Sequence, residues 1–149
     1  MKVCIIGAGA IGGFIGTKLA LAGRAELSAI ARGETLAALR RHGWRLHSGG
    51  QLHRSPAHAT DKPAELGAQD LLVIAVKGPA LTAVAQQIGP LLGPDTLVLP
   101  AMNGVPWWFC QRVAGFKDQP LTSVDPGGVI AAAIPFEQVV GCVVHAATE

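Results

Sequence analysis

The chain has 149 residues, half of them apolar and only 15% charged, with 19 glycines and 10 prolines. That length suits one domain with a single core, and the composition excludes a disordered polar chain or a coiled coil, both of which are far richer in charge. The net charge is +2, but residues 1–62 carry +6 and residues 63–149 carry −4, a basic first half that suits a phosphate-bearing ligand.

Residues 2–6 are a short apolar, β-branched run that stops at glycine, as a buried parallel strand does. Residues 10–22 read as a helix, with Ile11, Ile15, Leu19 and Ala22 spaced for one face and Gly23 as its stop. A second strand is expected over 27–31 and a helix over 34–41, with Leu36 and Leu39 inward. Residues 44–54 alternate around Ser48-Gly49-Gly50, predicting a β-hairpin laid beside the main sheet. Residues 71–76, apolar throughout, predict a strand. A helix from Pro79 to about Leu92, with proline in its first turn, comes next. A strand over 96–99 and a helix over 106–113 follow. The turn Asp125-Pro126-Gly127 then leads to two more expected strands, at 128–133 and 139–146. This alternation predicts an α/β fold, a Rossmann-like, doubly wound and mostly parallel sheet with helices on both faces, as one dinucleotide-binding domain over 1–149. Right-handed crossovers put the strand C-termini on one edge, where ligands bind.

The motif with chemistry in it is Gly7-Ala8-Gly9-Ala10-Ile11-Gly12, placed where the first strand becomes the first helix. In that setting Gly7 permits the tight turn, Gly9 lets a pyrophosphate approach the backbone, and Gly12 lets the helix lie close to the sheet. The helix N-terminus then offers unpaired N–H groups to the phosphates. At the end of the second strand, dinucleotide sites that read NAD place an acid for the ribose hydroxyls. Here the strand runs Ile30-Ala31-Arg32-Gly33, and Glu26 lies at the wrong end. Arg32 can hold a 2′-phosphate that an acid would repel, so NADP (as NADPH) is expected over NAD. Lys77 and the pair Asn103-Gly104 follow later strands on the same edge.

Other signals point to little chemistry. Cys4, Cys110 and Cys142 are odd in number and show no CxxC spacing, so no disulfide framework or zinc site is expected, and a reducing cytoplasm is the expected location. The uncharged stretches 78–94 and 96–111 are broken by proline, glycine and polar side chains, which argues against a membrane span. No helix-turn-helix or zinc pattern accompanies the basic half, so no nucleic-acid partner is expected. His42, His47, His53, His58 and His145 show no metal-ligand spacing.

The opening run Lys2 to Gly12, Arg32, the strand end Val76-Lys77 and Met102-Asn103-Gly104, in that order, resemble the ketopantoate reductase (2-dehydropantoate 2-reductase) family. The stretch His145-Ala146-Ala147 matches the family's last strand more loosely. The resemblance implies an oxidoreductase that reduces a 2-keto acid by hydride transfer from NADPH, as in making pantoate for pantothenate and coenzyme A synthesis. It implies that the glycine loop (Gly7, Ala8, Gly9, Ala10, Ile11, Gly12) and Arg32 bind NADP, that Lys77 lines the cofactor site, and that Ala147 touches the cofactor. Asn103 would bridge cofactor and substrate. The family's catalytic lysine lies in a helical second domain, which this sequence does not contain, so no catalytic residue is expected in the chain and the chain alone should be inactive. A stand-alone NADP-binding sensor and a nucleotide-sugar or lipid-binding Rossmann protein are the other readings. So apolar a chain also predicts an exposed patch near the ligand edge, including one of Trp107, Trp108 or Phe109, covered by a homodimer partner or by the helical domain.

Overall fold

A strand covered on both faces must be apolar at every position, because successive side chains point to opposite sides. In β1 (Lys2–Ile6), Cys4 and Ile6 enter one hydrophobic cluster while Val3 and Ile5 enter another. A computed structural model of the chain describes residues 1–116 and 119–148. After β1 come α1 (Ala10–Ala22), β2 (Glu26–Ile30), α2 (Gly33–His42), β3 (Trp44–Ser48), β4 (Gln51–Ser55) and β5 (His58–Thr60). Then follow β6 (Leu71–Ile74), α3 (Leu81–Ala85), β7 (Leu97–Pro100) and α4 (Val129–Ala133). Five strands form one parallel sheet in the order β5-β2-β1-β6-β7. α1, α2 and Trp44 cover one face with Leu36 and Leu39; α3 and α4 cover the other with Leu81, Val84 and Ile130. The fold is therefore doubly wound α/β, with the change of winding direction between β1 and β6.

The hairpin β3–β4 forms a separate two-stranded sheet and packs on α1, so it does not lie beside the main sheet. The reason is local. Gly16 leaves α1 bare where the indole ring of Trp44 rests, and a β-carbon there would overlap that ring. The edge position beside β2 is instead taken by β5, a three-residue strand that the sequence pattern did not reveal.

Four expected elements differ. The helix expected from Pro79 to Leu92 is broken into a 3-10 turn at Gly78–Ala80, the short α3 and a second 3-10 turn at Gly89–Leu91. Pro90, lacking an N–H, cannot continue a helix from α3. Residues 106–113 form successive turns closed by Phe109 N–H to Pro106 O and Gln111 N–H to Trp108 O, with Arg112 at φ 59°, and no helix. The strand expected over 128–133 is α4. Gly127 and Gly128 turn the chain, and the buried Asp125 carboxylate accepts the N–H groups of Ile130 (2.8 Å) and Ala131 (2.9 Å), which fixes a helix start. The strand expected over 139–146 is reduced to one parallel bridge, Val98 to Val139, with Val140 N–H donating to Val98 O at 2.8 Å. The next outward position on β7 is Pro100, which has no N–H to extend the ladder.

Candidate functional site

Where β1 ends, Gly7 takes φ 89° and donates its N–H to Ile30 O at 3.0 Å. A β-carbon on Gly7 would come within 2.6 Å of Val76, and one on Gly12 would overlap the Gly7 carbonyl oxygen. Both glycines are thus required by close packing of turn, helix and sheet. Gly9 differs: nothing lies within 4 Å of a β-carbon built there. It caps α1 without any side-chain hydrogen bond, and no acid occupies the first turn. The first N–H groups of α1 and the positive end of its dipole therefore face open space, a setting for phosphate oxygens.

Three hollows line up along the C-terminal edge of the sheet. The first, about 120 Å³, lies between Arg32, Ala31, Gly7, Val76 and Gln87, with the acidic Asp61 also bordering it. The second is a groove of about 810 Å³ over the glycine loop, bounded by Gly9, Ala10, Lys77, Asn103, Val144 and Ala146. It meets the first at Gly7 and Val76. The third, about 690 Å³, is an apolar chamber past Asn103 that shares Gly78, Met102 and Asn103 with the groove. Arg32 sits at the N-cap of α2, exposed, and no ion pair or hydrogen bond of its side chain is found among the described residues. Glu26 is the first residue of β2, at the opposite edge. Lys77 is exposed and is the one ionisable side chain bounding the groove among the described residues.

Asn103 is held in a two-way bond with the tail: its Nδ2 donates to Val144 O at 2.9 Å and its Oδ1 accepts Val144 N–H at 2.8 Å. One N–H of the amide remains for a ligand. This bond brings Val144 and Ala146 to the groove wall. Ala147 does not line that groove; it faces the neighbouring hollow beside Ala8, Gly9 and Ala10, against the hairpin. The sequence reading missed Val144 and the chamber wall at Val124. The Asp-Pro-Gly-Gly signal before an alanine-rich run was the available clue to the latter. In the chamber Trp107 is 3% exposed and packs edge-on against Trp108, with ring centroids 4.4 Å apart. Its indole N–H has no hydrogen-bond partner among the described residues.

Residues 3–106 match the family model described as ketopantoate reductase PanE/ApbA. The whole chain is 47% identical to a 2-dehydropantoate 2-reductase of Mesorhizobium japonicum, of which it covers 46%. A crystal structure from Ralstonia solanacearum MolK2, with ketopantoate reductase as its provisional name, superimposes with a TM-score of 0.93 at 53% identity, over 97% of this chain and 44% of that one. The 2-dehydropantoate 2-reductase of Porphyromonas gingivalis W83 gives 0.70 at 28% identity, over 95% of this chain and 45% of the other. The chain thus spans less than half the length of each of these three relatives.

Proposed function

The chain belongs to the ketopantoate reductase family, and we propose that residues 1–149 are the NADP-binding domain of an enzyme that reduces a 2-keto acid, 2-dehydropantoate or a relative of it. The observation that carries this reading is the continuous line of hollows from Arg32 through the glycine loop to Asn103. It has the chemistry of the cofactor in the right order: a cation for a 2′-phosphate, bare helix N–H groups for the pyrophosphate, and an amide where the nicotinamide would lie. The open space at Gly9 is where a pyrophosphate fits.

Each residue then has a task. The N–H groups at the start of α1 bind the pyrophosphate, assisted by the backbone turn at Gly7 and close packing at Gly12. Ala8, Ala10 and Ile11 supply the rest of the loop. Lys77 adds a cation at the groove, Asn103 orients the reacting groups with its free N–H, and Ala147 closes the loop from the hairpin side. The bound NADPH would supply the hydride. The proton for the ketone oxygen comes, on this reading, from the helical second domain that the family resemblance implies. The three free cysteines suit a reducing compartment such as the cytoplasm. No helix among the described residues is long and apolar enough to cross a membrane.

Calorimetric titration of NADPH and NADH against the chain and against Arg32→Ala tests the assignment. NADPH should bind the wild type more tightly. The substitution should weaken NADPH about tenfold, the lower end for a charge-assisted bond at an exposed site, and leave NADH unchanged. Equal affinities in the wild type would overturn the choice of NADP.

A further inference from the structure

The basic excess of residues 1–62 is not used up by the cofactor groove. Of the nine Lys and Arg residues there, Arg32 alone borders the three hollows of the ligand edge. Arg40, Arg41, Arg45 and Arg54 gather elsewhere, at the end of α2 and on the hairpin. Arg40, Arg41, His42, Arg54 and Ser55 line an open hollow of about 420 Å³, with no acid among its bounding residues. It shares no residue with those three hollows. α2 runs back from the ligand edge, so its end lies toward the opposite edge of the sheet.

Cations in the last turn of a helix complement its dipole, which accounts for Arg40 and Arg41. It does not account for Arg45 and Arg54. These two are register partners across the hairpin, and like charges directly opposite one another destabilise a strand pair. Arg41, Arg45 and Arg54 are exposed, and none of the four arginines forms an ion pair among the described residues. The His42 imidazole is held below its ordinary range by desolvation first, then by the charges of Arg45, Arg41 and Arg54. Positive charge from three elements thus converges on one place. Arg40 is also oriented: its Nε donates to Ala59 O at 3.1 Å, which leaves its terminal nitrogens for a ligand. Guanidinium forks hold phosphate oxygens two at a time, and a bound anion would relieve the repulsion between Arg45 and Arg54. The small hollow suits a compact anion. A nucleic-acid strand needs a charged track with exposed rings for its bases, and Trp44, the one aromatic of the hairpin, is buried against α1.

We propose that the end of α2 and the hairpin form a second anion site, separate from the cofactor groove, which holds a compact phosphorylated anion between Arg40, Arg41 and Arg54. This goes beyond the cofactor reading and does not rest on it. The test is calorimetric titration of inorganic pyrophosphate into the chain, free and with saturating NADPH, at about 0.15 M salt, where loose surface attraction is screened. One pyrophosphate should bind per chain with NADPH present. Arg54→Gln and Arg41→Gln should each weaken it at least tenfold, and Arg32→Ala should leave it unchanged. Both glutamine variants should melt no lower than the wild type, since each removes like-charge repulsion, and the melts report that they are folded. In the wild type, pyrophosphate should raise the titration midpoint of the His42 ring, read by NMR. Absence of saturable binding, an unmoved His42, or binding that survives both glutamine substitutions would overturn the inference. So would a single-stranded oligonucleotide that binds through these arginines where pyrophosphate does not, which would assign the surface to nucleic acid. Comparison of Arg54→Gln with Arg32→Ala in the free chain decides the matter even if NADPH fails to bind, so failure of the cofactor assignment is read separately.

Discussion

A β-carbon built on Gly12 would overlap the carbonyl oxygen of Gly7, whereas one built on Gly9 meets nothing within 4 Å. These two positions of one motif therefore separate folding from binding. Gly9 has φ −73°, which alanine adopts without strain, so Gly9→Ala should melt like the wild type. Its methyl group would occupy the space of approach to a pyrophosphate, and NADPH affinity should fall at least tenfold. Gly12→Ala should instead lower the melting temperature sharply, and thermal melts alongside NADPH titrations distinguish the two. Cys4 shows a different kind of residue effect. Burial pushes its thiol from 9.0 up to about 11, against the weaker opposing pull of a Ser28 hydrogen bond. The folded state thus favours the protonated form. That contribution is fully present below pH 9 and is lost as pH rises toward 11, amounting to about 2–3 kcal/mol in full. Urea midpoints measured from pH 8 to pH 10 should fall more steeply for the wild type than for Cys4→Ala.

Elements with a strong local period were legible in the sequence, and elements fixed by a distant partner were not. β1 and α1 have the expected bounds because an apolar run, a glycine turn and a glycine stop each act within a few residues. The glycine loop, Arg32, Lys77 and Asn103 were legible for the same reason, as each follows a strand that could be read. β5 was missed because its three residues, His58, Ala59 and Thr60, have no period, and pairing with β2 makes them a strand. α4 was misread because Val129 and Ile130 have β-propensity that the Asp125 carboxylate overrides. That carboxylate is buried and serves two N–H groups at once, so Asp125→Ala should cost about 2–3 kcal/mol, with Asp125→Asn intermediate, by denaturant unfolding. The tail was half legible. The strand expected over 139–146 reaches the sheet only at Val139, because Pro100 ends the ladder, and a side chain, Asn103, takes over the pairing at Val144.

Over the whole molecule, the apolar half of the composition cannot all be hidden in two clusters flanking a five-stranded sheet. Val143 is 70% exposed, Val105 57% and Phe109 49%, all on segments that border the ligand edge. Phe109 packs edge-on against Phe116, itself exposed, with centroids 6.0 Å apart, so the surface is partly organised into contiguous apolar area. The segment is also held in place: Arg112 pairs with Glu137 and lies 4.9 Å from the centroid of the Phe136 ring. An ordered apolar surface of this kind rarely stays uncovered in a soluble chain. On the reading proposed above, a helical domain would cover it in a longer protein. The chain of 149 residues should cover it by self-association, most simply as a two-fold dimer that uses the same surface on both copies. Sedimentation across a concentration series should show mass rising from one copy to two. Phe109→Glu should hold the chain monomeric and leave NADPH affinity unchanged, since Phe109 is not among the residues bounding the groove. A wild-type chain that stays monomeric at high concentration and binds no hydrophobic dye would show that this surface needs no cover. The reading as a stand-alone NADP-binding sensor would then be preferred.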